Sequence, residues 1–300
     1  MIREVTGIET IRMLYLQLLY RCNFACLHCF HGERLQHADA FTVGEAAGLL
    51  TLMRDEYGTE AVTLLGGEPF VYRELPEVVR YAKEELGLRV EICTNGYRVE
   101  RRLARIASHL DVLRVSLEGV GATNDAIRRT GSFTSALDAL RAARDLGVPT
   151  GATMTLTSRN IADVLPLAHT LADLGVQELK LHHMRPVGNA AAHPELLVSD
   201  VSAYGRLRAE LAALRTPLEI VVDEEISATG GPATCATTTR PRTVHRIEAD
   251  PRGALTLSCN AVGNDAYAFW YEKSTGRITH RPSAKDELSQ AVPDVVYARA

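Results

Sequence analysis

The run Met13-Leu14-Tyr15-Leu16-Gln17-Leu18-Leu19-Tyr20 leads through Arg21 directly into Cys22-Asn23-Phe24-Ala25-Cys26-Leu27-His28-Cys29. The first part reads as a buried strand. It is too short to cross a bilayer, which takes about 20 apolar residues. Three cysteines within eight residues stand at metal-ligand spacing, and six cysteines in a chain of 300 residues are too few for a disulfide scaffold. A metal-bearing loop just after a strand sits where α/β barrels build their sites, at the C-terminal ends of parallel strands.

Working outward, further strand-like runs fall at 61–65, 89–93, 112–117, 150–156 and 178–183. Between the six strands, apolar positions three and four apart mark helices at 43–57, 74–86, 100–108, 133–146 and 161–174. Gly58, Gly87 and Gly147 are placed to stop three of them. A sixth helix at 204–214 and a short strand from Pro217 to about Val222 complete the series. Alternating β and α units predict an α/β fold, a partial (β/α)6 TIM-like barrel over residues 11–225. From about Ser227 the composition shifts to Gly230, Gly231, Pro232 and a threonine-rich stretch, which predicts a small C-terminal extension, 226–300, with a hairpin at 244–249 and 254–257.

Composition excludes some classes. Hydrophobic residues are 46%, charged residues 23% and the formal net charge is -4, which fits neither a disordered chain nor a nucleic-acid binder. With no signal peptide and no membrane span, and with cysteines arranged for metal, a reducing, cytoplasmic setting is expected.

Three thiolates on one loop can hold three irons of a [4Fe-4S] cluster and leave the fourth iron open to a ligand. The alternative is a structural zinc site, with His28 or His31 as the fourth ligand. The spacing, the aromatic His28 before the last cysteine and the place after the first strand resemble the signature of the radical S-adenosylmethionine (SAM) superfamily. The likeness continues over about residues 11–190, with motifs in the expected order, and is similar to the SPASM/Twitch-like subgroup. It implies the cluster on Cys22, Cys26 and Cys29, with His28 beside the cofactor. It also implies SAM as cofactor, its amino group received by Gly66-Gly67-Glu68-Pro69. Glycines permit close backbone approach and a carboxylate can pair with an ammonium. By the same resemblance Ser116 and Arg128, within Val115-Ser116-Leu117-Glu118-Gly119 and Ile127-Arg128, hold the SAM carboxylate, and Thr94 and Asn95 lie near the cofactor. Of His182 and His183 at the end of the sixth strand, one should point into the barrel, and His183 is taken as a cofactor-side candidate. Either can equally be an ordinary core or surface histidine.

In this superfamily the reduced cluster donates an electron to SAM, and the resulting 5'-deoxyadenosyl radical abstracts hydrogen from substrate. An electron donor such as flavodoxin or ferredoxin is therefore expected, and a small-molecule or peptide substrate. Cys235 and Cys259, flanking Asp250-Pro251-Arg252-Gly253, resemble the beginning of an auxiliary-cluster extension, so a second iron-sulfur cluster is one expectation. Outside the first motif only Cys93, Cys235 and Cys259 remain, one short of four thiolates. This favours a redox-neutral epimerase with Cys259 or Cys235 as hydrogen donor, similar in size and layout to radical SAM epimerases that modify aminoglycosides. The barrel starts within about a dozen residues, leaving no room for a leader-peptide recognition domain, which also favours a small molecule. The competing expectations are a radical SAM dehydrogenase or peptide-modifying enzyme with an atypical auxiliary cluster, and a non-catalytic redox sensor.

Overall fold

The computed structural model describes residues 1–223, 243–257, 269–281 and 295–297. A short helix α1 (Ile2–Thr6) precedes the repeating unit β1 (Thr10–Gln17), α2 (Val43–Tyr57), β2 (Ala61–Leu65), α3 (Leu75–Arg80), β3 (Arg89–Thr94), α4 (Glu100–Leu103) and β4 (Val112–Ser116). There follow α5 (Ala122–Ile127), α6 (Ser132–Asp145), β5 (Thr150–Leu156), α7 (Val164–Asp173), β6 (Glu178–His183), α8 (Val201–Ala213) and β7 (Glu219–Val222). The C-terminal strands are β8 (Thr243–Ala249), β9 (Ala254–Thr256), β10 (Phe269–Glu272), β11 (Arg277–His280) and β12 (Val295–Tyr297).

Strands β1 to β7 lie side by side in chain order and all pair in parallel. The sheet is an open TIM-like arc, not a closed barrel. The expected hairpin is present, since β8 and β9 pair antiparallel. Its first strand, however, also pairs in parallel with β1, Leu14 opposite Ile247 and Leu16 opposite Ala249. Strands β8 to β11 therefore continue the main sheet past β1.

Side chains on successive strand residues alternate between faces, and here the two faces differ sharply in chemistry. Leu14, Leu16, Val62, Leu64, Val90, Ile92, Leu113, Val115, Leu179 and Leu181 are fully buried in one core with the helices. The opposite face is polar. On it Arg114 bridges Glu178 and Glu91, the Gln17 amide donates to Glu248, and Arg246 lies over the Tyr15 ring at 5.1 Å. Only a strand with polar odd and apolar even positions, or the reverse, satisfies both layers.

Helix ends follow local chemistry. Helix α2 opens with a full capping box, Thr42 and Glu45 each accepting from the other's backbone N–H, and closes on left-handed Gly58 at φ 65°. The helix expected at 100–108 is broken: four residues of α4 are followed by a separate 3-10 turn, Ala107–His109. The short helix α5 went unread in the sequence because its six residues are too few for a periodic signal.

Candidate active site

The cysteine loop leaves β1 and is held from three sides. Leu27 N–H donates to the Ile127 carbonyl at 3.0 Å. Asn189, in the turn after β6, donates its backbone N–H to Cys29 O at 2.8 Å and its side-chain amide to Cys26 O at 3.0 Å. Gly188 makes this docking possible: it sits at φ 60°, and a Cβ there would lie 2.3 Å from Phe30 O. At Cys22 the Phe24 N–H donates to Sγ at 3.4 Å and the Asn95 amide at 3.9 Å, and the Asn95 amide is also 2.7 Å from Asn23 Oδ1.

These thiols fit a cationic metal cluster. Burial pushes Cys22 up to about 12 and Cys26 up to about 11, and raises Cys29 as well. Thiolates at these positions need positive charge beside them, which iron supplies. Among the described residues no group of three or more His, Cys, Asp or Glu side chains is placed to hold a single metal ion. Three cysteine thiolates on one short loop are a donor set that would suit an iron-sulfur cluster. In addition His28, on the same loop, keeps a buried Nδ1 without a hydrogen-bond partner in the protein. His31, the other candidate zinc ligand, is turned elsewhere: its Nε2 faces Gly66 O at 3.1 Å, and burial lowers its pKa to about 4.

Gly66 and Gly67 carry β2 across the segment that enters the cysteine loop. Gly67 N–H donates to Leu19 O at 2.8 Å and Glu68 N–H to Arg21 O at 3.0 Å. A Cβ on Gly67 would lie 2.1 Å from Tyr20 O, and one on Gly66, at φ 153°, 2.5 Å from Leu19 O. The close approach these glycines permit is to the chain itself, a reason the sequence did not reveal. Pro69 begins a short 3-10 turn, and the Glu68 carboxylate, 1% exposed, caps it by accepting from Phe70 N–H at 3.0 Å. The same carboxylate accepts from Thr94 Oγ1 and Asn95 N–H, each at 2.7 Å. Burial raises its pKa despite these bonds. Three of roughly four acceptor positions are thus used to tie the end of β2 to the end of β3.

Beyond β4, Glu118 forms the centre of a buried cluster. Its Oε1 is 3.0 Å from His28 Nε2 and accepts from Arg128 Nη2 at 2.9 Å and Nε at 3.2 Å. Its Oε2 accepts from Thr155 N–H at 2.7 Å. Burial works against its charge, but His28 and Arg128 hold its pKa below the usual range. Arg128 is aimed from the end of α5, where Asp125 accepts from the N–H groups of Gly131 and Phe133 at 2.6 and 2.8 Å and so caps α6. Ser116 Oγ, on the polar face, is 3.7 Å from Cys93 Sγ and accepts from Thr153 Oγ1 at 3.3 Å.

The structure thus brings together Cys22, Cys26, Cys29, His28, Glu68, Thr94, Asn95 and Arg128 at the C-terminal ends of β1 to β4. His183 is a correction. Its Nδ1 is 2.9 Å from the Tyr204 hydroxyl of α8, so its ring lies on the helix side with Leu181, and His182 occupies the polar face. Cys235 and Cys259 lie outside the described residues. Asp250, which precedes Cys259, pins β8 and β9 to the cysteine loop's entrance: it accepts from the Tyr20 hydroxyl at 2.7 Å and from Ala254 N–H at 2.9 Å. Sequence reading missed Glu118 as a linker and Asn189 as a loop anchor. The first had only its place in the motif to mark it. The second had only a Gly-Asn turn signal, and its partners are more than 150 residues away.

Residues 16–171 match the family model of the Radical SAM superfamily. The chain is 28% identical over 175 residues to the Fe-coproporphyrin III synthase of Methanosarcina barkeri, covering 57% of this chain and 43% of that protein. It is 33% identical over 189 residues to the mycofactocin maturase MftC of Mycobacterium tuberculosis, covering 61% of this chain and 47% of the relative. The aligned stretch is therefore less than half the length of either relative. Among solved structures, Streptococcus suis SuiB bound to S-adenosylmethionine superposes with a TM-score of 0.71 at 15% identity, over 87% of this chain and 63% of that one. At that identity the likeness is one of fold.

Proposed function

The chain belongs to the radical SAM superfamily, with a [4Fe-4S] cluster and SAM as cofactors, and from that premise we propose that it epimerises a C–H centre of a polar natural product such as an aminoglycoside. Cys22, Cys26 and Cys29 hold the cluster in this reading, and residues 11–225 form the cofactor-binding unit, with 226–300 as an extension. Bound there, the cluster and SAM supply a 5'-deoxyadenosyl radical that takes hydrogen from substrate. The residues around them position and exclude. The Gly66 to Pro69 turn, shaped by Glu68, receives the SAM amino group. Arg128, with Ser116, meets its carboxylate, for which a guanidinium is suited because it donates in pairs. The polar sheet face receives the substrate.

The observation that carries the redox-neutral reading is the cysteine count. Six cysteines less the three of the motif leave Cys93, Cys235 and Cys259. Cys93 is committed to β3, facing Ser116, so a second cluster fully ligated by cysteine lacks its thiolates. Cys259 or Cys235 then returns a hydrogen atom to the substrate carbon. The sulfur radical left behind regains one electron from a reductant of the flavodoxin or ferredoxin class and one proton from solvent, in the cytoplasm. No helix among the described residues is long and apolar enough to cross a membrane.

A second reading is a peptide-modifying enzyme, favoured by the similarity to the maturase MftC and the fold of SuiB. One experiment separates the two: reaction of reconstituted wild type, Cys235→Ala and Cys259→Ala with aminoglycosides in deuterated water under dithionite. Solvent deuterium in an epimerised product, lost with one cysteine while SAM cleavage persists, supports the epimerase. A product lighter by two hydrogens, with iron near eight per chain, overturns it.

A further inference from the structure

On the polar face of the sheet, at the C-terminal end of β6, stands a histidine that the cofactor motifs do not use. His182 Nδ1 is 3.2 and 3.1 Å from the two carboxylate oxygens of Asp223, the residue after β7. Asp223 is itself fixed: its N–H donates to Leu181 O at 3.0 Å, and its Oδ2 also accepts from His183 N–H at 3.1 Å. Burial opposes the Asp223 charge, but His182, Lys180 and the His183 N–H hold its pKa well below the usual range. An ionised carboxylate can only accept, so Nδ1 carries a proton and Nε2 is the ring nitrogen left to meet a substrate group. Among the described residues no protein group is hydrogen-bonded to Nε2, and the side chain is 32% exposed.

The position is suited to substrate. His182 stands beside Thr155 in the β5–β6 register, and Thr153, one step down the same face, donates to Ser116 Oγ. At about 4.8 Å per strand and 3.3 Å per residue, His182 lies roughly 10–12 Å from Ser116. That separation along the polar face is comparable to the length of a small polar molecule, which could span from the residues assigned to SAM to the imidazole.

We propose that His182, steered by Asp223, is a substrate-contacting residue whose Nε2 accepts a hydrogen bond from a hydroxyl or ammonium group of the substrate. The proposal rests on the reading that the polar face receives the substrate. It is tested with the cluster-loaded enzyme and His182→Leu, His182→Gln and Asp223→Asn, using neomycin-class aminoglycosides as probes. The expected result is SAM cleavage without substrate within about twofold of wild type, a KM raised roughly tenfold or more in His182→Leu, and partial recovery in His182→Gln, whose amide oxygen restores an acceptor. An unchanged KM in both His182→Leu and Asp223→Asn overturns it. If no aminoglycoside is turned over, the substrate reading fails. The 15N spectrum of labelled histidine in the wild type then decides His182 separately: a proton on Nδ1 with bare Nε2 supports the proposal, and a proton on Nε2 overturns it.

Discussion

Arg128 Nη2 lies 2.9 Å from Glu118 Oε1, and the two side chains are only 9% and 1% exposed. Because the same oxygen also meets His28, one carboxylate links the cysteine loop to the arginine assigned to SAM. Removing one partner of a buried pair strands the other charge, at a cost of about 3–5 kcal/mol. Glu118→Ala should therefore lower stability by about that amount in urea unfolding. Glu118→Gln, which keeps the shape, should fold and load iron but bind SAM more weakly by calorimetry. Wild-type SAM affinity in Glu118→Gln would remove the link.

Gly67→Ala should fail for a steric reason. Its Cβ would meet Tyr20 O at 2.1 Å and Arg21 O at 2.3 Å, both backbone atoms that cannot move without shifting the entrance to the cysteine loop. The expected outcome is loss of iron uptake in reconstitution, whereas Gly44→Ala, in open space on α2, should load normally.

Glu68→Gln replaces an acceptor oxygen with a donor facing either Asn95 N–H or the Thr94 and Phe70 donors. A buried donor left unpaired costs about 1–3 kcal/mol. The variant should unfold earlier by that margin, and its KM for SAM should rise while iron content is kept.

Asp125 gives a pH-dependent stability. Burial opposes its charge, but Phe133 N–H, Gly131 N–H and the Ser132 hydroxyl together hold its pKa below the usual 3.8. A depressed folded pKa contributes stability that is present above 3.8 and lost as pH falls through the lower folded value. Asp125→Asn should be less stable than wild type at neutral pH, with the difference shrinking on acidification, as followed by circular dichroism.

The core of this fold was legible in the sequence because parallel strands buried against helices are dense in Val, Ile and Leu, and glycines such as Gly58 and Gly147 mark helix ends. The cysteine loop was legible because its chemistry is local. What could not be read were relations across the sheet. The strand β8 pairs with β1 across more than 230 positions, and nothing in residues 243–249 states that partner. The choice between His182 and His183 turned on one residue of register: alternation required one to face inward, but only the packing of His183 on Tyr204 shows which. The glycines of the Gly66-Gly67 turn were read as permitting a close approach, and the structure shows one that the sequence could not, to the backbone of Leu19, Tyr20 and Arg21.

The most direct measurement is reductive SAM cleavage by the anaerobically reconstituted wild type beside the Cys22→Ala, Cys26→Ala, Cys29→Ala triple variant. The expected result is about four irons per chain and dithionite-dependent 5'-deoxyadenosine and methionine in the wild type, and neither iron nor products in the triple variant. Product formation unaffected by loss of the three thiols, or a wild type that loads four irons and leaves SAM intact under reductant, would contradict the account.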